Sequence, residues 1–574
     1  MRKNKTYPLP SFTDVFFPIA LMENNPKNIQ SLIPVDMIKF IRIPCLVLTT
    51  CSFLALGCTS SSVLTFSSLS GSSKQRITEL SPAESKKWGH LDPMLDTVPG
   101  MSVERAYKEL IKKRKGQGVL VAIIDSGIDL DHEDLKGLFW ENSGEIPGDG
   151  LDNDQNGFAD DIHGYNFLGE SYHEQLEFTR ILARKIGDST LQAQAKKELD
   201  SRLAETSASL AQLQQIEKMV ALADQTLQKK LGKDFYSFKD LQKYNPVNEE
   251  EEQLIELLFQ VYGTGQDVPT VLAELRGGVA YYQDQLDYNL NLDFNARTEV
   301  GDDPYILTEI GYGDGNPDIR DPEESHGTHV SGIVAANRKS KRGVNGVAQN
   351  VKIMSLRVVP DGDEYDKDVA HAIRYAADHG AKIINASFGK KFSPHASWVQ
   401  EALAYAASKD VLFVHAAGND GIDLDDPKNS NYPNDHYSKS GARPLDNYIT
   451  VGALAPSYGP DMIASFSNYG KESVDIFAPG DEIYSTMPGN AYEFQGGTSM
   501  AAPAVAGLAA VLRSHFPELN ATEVKQIILE SGIPVPFAVR VGDKEYDLSD
   551  LCKSGKMANL YNAFLMAEKK VTGK

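Results

Sequence analysis

Five short apolar runs constrain this chain more than any other feature. Residues 119–124 read Val-Leu-Val-Ala-Ile-Ile without a polar break, and comparable runs recur at 351–357, 382–386, 411–415 and 447–452. A strand with one face in water alternates apolar and polar residues, whereas a continuous run suits a strand covered on both faces. Helical patterns lie between the runs, as at 367–380 and 395–409. Strands alternating with helices predict an α/β domain with a mainly parallel central sheet flanked by helices. In such sheets functional groups gather where strands end and loops begin. Apolar residues make up 41% of the chain, enough for a large core.

Between about 170 and 290 the pattern changes. Residues 189–231 contain neither Pro nor Gly, and Leu199, Leu203, Leu210, Leu213, Val220, Leu227 and Leu231 recur at threes, fours and sevens. That is one apolar stripe on a long helix. Ser189 is expected to cap its start and Gly232 its end. A second helix is expected behind Asn248, with Glu249 to Glu252 complementing the dipole of its first turn and Gly263 as its stop. A third pattern spans about 269–290. Together they predict an all-α insertion, serving as a spacer or as a lid or partner-docking element.

Three motifs carry chemistry. In Ile124-Asp125-Ser126-Gly127-Ile128 an aspartate directly follows a buried strand, where it is costly unless paired or hydrogen-bonded. In His326-Gly327-Thr328-His329-Val330-Ser331-Gly332 two histidines stand three apart, a spacing that can bind metal on a helix. No glutamate or third histidine follows as in His-Glu-x-x-His, so His326 can instead be a general base with His329 as a packing residue. In Gly496-Gly-Thr498-Ser499-Met500-Ala-Ala-Pro503 a serine enters a helix of small residues. The free amides of a helix N-terminus favour negative charge, which suits a nucleophile with an oxyanion forming beside it.

In the chain order Asp, His, Ser, these motifs together resemble the subtilisin-like serine peptidases, the subtilases. The resemblance covers about residues 100–165 and 295–535. It implies a serine endopeptidase in which Asp125 orients and charge-stabilises the imidazole, His326 is the base and Ser499 attacks the scissile carbonyl. It also implies that Asn419, in Ala416-Ala417-Gly418-Asn419-Asp420, shares the oxyanion hole with the Ser499 backbone N–H. Ser387-Phe388-Gly389 matches the family's substrate-binding strand edge, which adds the substrate as an extra strand. Ala416, Ala417 and Gly418 would line the S1 pocket. Asn431-Tyr432-Pro433 and Phe477-Ala478-Pro479-Gly480 fit two further family segments. Two features depart from the family. The aspartate and histidine stand about 200 positions apart because the helical stretch lies between them, an insertion that loop-closure entropy tolerates well. Only about forty residues separate Cys58 from the catalytic pattern, too few for a packed pro-domain.

Asp152-Asn-Asp154-Gln-Asn156-Gly157, followed by Asp160 and Asp161, alternates oxygen ligands around a turn glycine. A structural calcium on Asp152, Asp154, Asn156 and Asp160 is expected, or else a solvated turn. His163 stands where an EF-hand has its closing glutamate, so the loop is not a complete EF-hand. Asp134 matches a calcium ligand of classical relatives, but the basic segment Arg338-Lys-Ser-Lys-Arg342 would repel a cation there.

Residues 1–36 are expected to precede the true start at Met37. Lys39 and Arg42 then form a positive n-region before an apolar run to Gly57, too short for a comfortable membrane span. Small residues before Cys58 resemble a bacterial lipoprotein cleavage site, with 37–58 as signal peptide and Cys58 as the lipidated residue. A Ser/Thr-rich tether (59–84) would follow. Next come the first part of the peptidase domain (85–169), the helical insertion (170–294), the second part (295–545) and a C-terminal extension packing on the domain (546–574). In the first part, Trp88, Met94 and a helix at about 103–113 are expected to pack onto the domain. The chain has four cysteines, Cys45, Cys51, Cys58 and Cys552, so a mature form beginning at Cys58 has no intramolecular disulfide. The net charge of −22 argues against nucleic acid as a partner. The expected partners are protein or peptide substrates and, through the lipid, the membrane of a bacterial cell envelope. Two alternatives stand beside this one: a catalytically silent lipoprotein that binds a partner through the insertion, and a metallopeptidase.

Overall fold

The apolar runs lie side by side as strands of one sheet. The computed structural model describes residues 79–573, apart from 322, 341–342 and 436–444. The expectations for the start site, the signal peptide, Cys58 and most of the tether fall outside the described residues. The strands are β1 (Val119–Asp125), β2 (Gly164–Asn166), β3 (Val351–Arg357), β4 (Ile383–Ala386), β5 (Leu412–Ala416), β6 (Tyr448–Leu454) and β7 (Ile476–Pro479). A hairpin, β8 (Ile483–Met487) and β9 (Ala491–Gln495), follows, then β10 (Ile533–Pro534), a second hairpin β11 (Val539–Val541) and β12 (Lys544–Tyr546), and β13 (Lys556–Met557). The main sheet has nine strands in the order β10-β13-β7-β6-β5-β4-β1-β3-β2. All its pairings are parallel except that of β10 with β13.

Helices cover both faces, which is why the strands tolerate no polar alternation. Along β1, Val119, Val121 and Ile123 face the layer of α5 (His326–Ala335), α8 (Thr498–His515), α9 (Ala521–Ser531) and α10 (Leu560–Thr572). Ala122 and Ile124 face the opposite layer of α6 (Asp366–Asp378) and α7 (Ala396–Ser408). The N-terminal segment packs through Trp88, Val98 and Met101, each no more than 1% exposed. The Trp88 indole N–H donates to the Asp481 and Glu482 carbonyls. Met94 does not join this packing: it is 39% exposed. It lies in a turn organised by the Asp92 carboxylate, which accepts the Met94 and Leu95 N–H groups. The helix expected at 103–113 is α-helical only over Val103–Ala106 and continues as a π-helical turn, Tyr107–Ile111.

The stretch between the two halves of the sheet is helical, with α1 (Glu177–Arg184), α2 (Ser189–Leu231), α3 (Glu249–Gly263) and α4 (Val268–Asp284). The apolar stripe of α2 serves two clusters. Leu213, Val220 and Leu227 pack against Ile255, Leu258 and Val261 of α3 and Val271 and Leu275 of α4. Leu199 packs instead with Phe178, Ile181, Leu290 and Phe392. The cap of α2 is Asp188 rather than Ser189: its carboxylate accepts the Thr190 and Leu191 N–H groups, which leaves Ser189 inside the first turn. Gly232 closes the helix at φ 62°, a left-handed conformation that costs glycine little. Asn248 caps α3 by accepting the Glu251 N–H, and Asp267 caps α4. No helix among the described residues is long and apolar enough to cross a membrane. Cys552 is buried and not disulfide-bonded, and burial pushes its thiol pKa up to about 11.

Candidate active site

The first functional group arises where β1 ends. Asp125 is its last residue and is completely buried. A carboxylate there requires partners. Oδ1 accepts the Ser126 N–H at 2.8 Å and lies 2.6 Å from His326 Nδ1, so it takes the proton of that ring nitrogen. Oδ2 is buried without a hydrogen-bond partner among the described residues, which leaves the carboxylate directed at one imidazole.

His326 opens α5 and is brought up to β1 by the residue after it. A Cβ on Gly327 would stand 2.6 Å from the Ser126 carbonyl, so only glycine allows the approach. The Gly327 N–H donates to Ser126 Oγ at 3.0 Å. Burial pulls the His326 pKa down, but the charge and hydrogen bond of Asp125 outweigh it, and the net direction is upward. His329 behaves oppositely. Burial holds it neutral, with a pKa of about 3, and its Nε2 faces the Ile483 and Glu493 carbonyls at 3.0 and 3.2 Å. It is a packing residue hydrogen-bonded through one ring nitrogen, and no metal-ligand cluster among the described residues includes it.

The third group sits at the start of α8, where Ser499 is the second residue. Its hydroxyl donates to the Ser387 carbonyl at 2.9 Å, while Ser387 Oγ donates to the Ser499 carbonyl at 2.8 Å. The hydroxyl is thus parked on the segment following β4 rather than on the imidazole. Catalytic hydrogen bonds in ligand-free sites are commonly looser than in the reacting complex. Asn419 follows β5. Its Oδ1 accepts both the N–H and the hydroxyl of Thr498 at 2.9 Å, which fixes the amide. Nδ2 then lies 3.3 Å from where a Cβ on Gly497 would stand, and glycine keeps that space open.

One cleft of about 940 Å³ joins His326, Ser499, Asn419, Ser387, Phe388, Gly389, Ala416 and Gly418. Ala417 does not line it. Its side chain points the other way, into the cluster around Leu454 and Phe477, as alternation along a strand requires. Asn431 Nδ2 donates to the Ala416 carbonyl at 3.0 Å, joining that segment to the loop beside it.

Two supports have no signature in the sequence. Beneath the Asp125–His326 pair, Glu324 accepts from Gly127 N–H and Arg357 Nε through Oε1, the latter at 2.6 Å, and from Arg320 N–H through Oε2. This buried pair ties the approach to α5 onto the ends of β1 and β3. Behind Asn419, Asn468 donates to the Ala417 carbonyl and accepts from Asp420 and Ile422 N–H. Gly418, at φ +95°, leaves no room for a Cβ, which would meet Asn468 at 2.5 Å.

The acidic loop comes together differently from its sequence pattern. Asp152 and Asp154 converge with Glu145, their carboxylate oxygens within 4.8 Å of one another, and this oxygen set can hold a hard cation. Asp160 is not in that group. Both Asp160 oxygens cap the loop, accepting from Gly148 and Gly150 N–H, and Asn156 Nδ2 faces Asp161. At Asp134, where no cation is expected, Oδ2 accepts the Tyr492 hydroxyl at 2.8 Å, and Arg338 pairs with Glu104.

Among known proteins, a thermophilic serine proteinase of Bacillus sp. (strain AK1) is 42% identical over 207 residues, 36% of this chain and 46% of that protein. Thermitase of Thermoactinomyces vulgaris is 40% identical over 191 residues, 33% of this chain and 61% of that protein. Subtilisin DY of Bacillus licheniformis is 33% identical over 248 residues, 43% of this chain and 79% of that protein. The chain therefore spans less than two thirds of the length of the first two. The model of the subtilase family, Peptidase_S8, matches residues 116–545. That span runs from β1 into β12 and includes every cleft residue described above, and the chain belongs to the subtilase family.

Proposed function

We propose that this protein is a serine endopeptidase that hydrolyses peptide bonds of protein or peptide substrates through an acyl-enzyme intermediate. The observation that carries this reading is the 2.6 Å contact of His326 Nδ1 with buried Asp125, in the same cleft as the Ser499 hydroxyl and the Asn419 amide. Ser499 Oγ, turned off the Ser387 carbonyl, attacks the scissile carbonyl while His326 Nε2 takes its proton. The resulting imidazolium is stabilised by Asp125 and then protonates the leaving amine. The developing oxyanion is received by Asn419 Nδ2 and the Ser499 N–H at the start of α8. Water repeats the sequence on the acyl-enzyme, with His326 again as base, and releases Ser499.

A fluorophosphonate probe tests this reading. It is expected to label the chain at Ser499, found by mapping the modified peptide, and to leave the Ser499→Ala variant unlabelled. An unlabelled wild type would sink the enzyme reading and favour a silent, partner-binding form. We further propose that the enzyme works at a bacterial envelope surface, held by lipid on Cys58. The motif at 37–58 supports this, and Cys58→Ala is expected to abolish incorporation of radiolabelled fatty acid. Undiminished incorporation would defeat the anchor.

A further inference from the structure

We infer that helices α1, α2 and α4 extend the substrate cleft, and that the substrate is an extended, unfolded chain held as far as its fourth or fifth residue upstream of the scissile bond. This rests on the serine peptidase reading above. The cleft that contains Ser499 does not end at Gly389. Its lining continues onto Leu176 and Phe178 at the start of α1, Glu198 and Arg202 of α2, and Tyr281 and Gln285 at the end of α4. These helices are fixed to the cleft, so they form a wall rather than a loose neighbour. Glu198 pairs with Lys391 at 2.7 Å, and the Phe178 and Phe392 rings pack at 6.3 Å. Buried Arg180 donates to the Asp363 carbonyl at 2.6 Å and the Glu364 carbonyl at 3.0 Å, while Lys390 Nζ meets Glu177 at 2.7 Å. The wall thus grips both banks, the segment after β3 and the segment after β4.

The spacing sets how long a substrate must be to feel it. Ser387 touches the nucleophile's residue, and Lys391 touches the wall. Four residues of extended chain cover about 13 Å. A substrate strand laid along Ser387–Gly389 therefore meets the wall only with its fourth or fifth residue upstream of the cut. A surface loop of a folded protein rarely presents so long a straight segment clear of its own body, whereas an unfolded chain does. Two wall side chains are exposed to receive it: Tyr281 is 57% exposed, and the Arg202 side chain, which lies 3.7 Å from Glu198, is 54% exposed.

The test is a series of fluorogenic peptides identical around the scissile bond, with two, three, five or six residues upstream. On the full chain, kcat/KM is expected to rise about tenfold between three and five residues, mostly through KM. In the Arg202→Ala/Tyr281→Ala double variant that rise is expected to fall below about threefold. Both side chains are exposed, so their removal leaves the core intact, and thermal melting checks this. A flat series in the wild type, or the same rise in the variant, overturns the inference. Fluorophosphonate labelling separates the two levels: a labelled enzyme with a flat series defeats the extended cleft alone, and an unlabelled one defeats both readings.

Discussion

Asp125→Asn is expected to lower kcat by about 10⁴-fold, the magnitude known for the equivalent aspartate in serine peptidase triads. The substitution keeps the size of the side chain and changes what it offers His326. The buried carboxylate now accepts the Nδ1 proton at 2.6 Å. An amide can turn its NH₂ toward that nitrogen and hold the imidazole in the wrong tautomer, with its one N–H proton on Nε2, facing Ser499. The amide also carries no charge to stabilise the imidazolium formed as Ser499 is deprotonated. The pH dependence gives a second, independent readout. A general base works when neutral, so kcat/KM rises as pH climbs through the His326 pKa of the free enzyme. In the native site burial pulls that pKa down and the Asp125 charge and hydrogen bond push it up by more. The rising limb should therefore lie above the ordinary histidine value of about 6.5. With asparagine only the burial remains, and the limb should move to lower pH. A variant that retains activity within tenfold, or whose limb moves upward, would remove Asp125 from the role given to it.

The parts of this site that could be read in the sequence are those whose physical cause is local. A strand buried on both faces must be apolar throughout, so β1 and the aspartate at its end announce themselves. The long helix α2 is legible because an amphipathic stripe without Pro or Gly has few other ways to fold. Its cap lies one residue before the expected Ser189 because Asp188 and Ser189 are both good caps, and only the backbone decides between them. What depends on long-range packing left no local trace. Glu324 and Arg357 are 33 positions apart, yet form the buried pair next to Asp125 and His326. Glu145 lies outside the Asp152–Asn156 repeat, yet its oxygens converge with those of Asp152 and Asp154. The side of Ala417 that faces the core, and the wall that α2 presents to the cleft, are likewise set by the fold as a whole.

The largest effect on stability is expected from Lys390→Met. Lys390 is buried where the segment after β4 meets the helices, with Nζ 2.7 Å from Glu177, 2.9 Å from Asp366 and 2.7 Å from the Glu364 carbonyl. Methionine fills nearly the same volume but takes the cation from buried Asp366 and leaves Glu177 to Arg180, and breaking a buried ionic network in this way costs about 3–5 kcal/mol. Glu177 shows the scale of the effect. Burial raises its pKa, but Arg180 and Lys390 outweigh that and hold it at about 2, against an ordinary 4.5. A depression of that size corresponds to roughly 3 kcal/mol of stability. The sign follows from the direction. This contribution is complete above about pH 4.5 and is lost as pH falls from there toward 2, so the penalty of Lys390→Met should be full at neutral pH and shrink in acid. Chemical denaturation at several pH values measures it. The double variant Lys390→Met/Asp366→Asn should recover part of the loss, because it removes the carboxylate charge that Lys390 balanced and leaves the Glu177–Arg180 pair in place. A single variant within 1 kcal/mol of wild type at pH 7 would show that the network is not needed to hold the fold. Because Lys390 also joins its backbone N–H to the Tyr432 carbonyl directly beside Gly389, a loosened network should raise KM for long substrates before it lowers kcat.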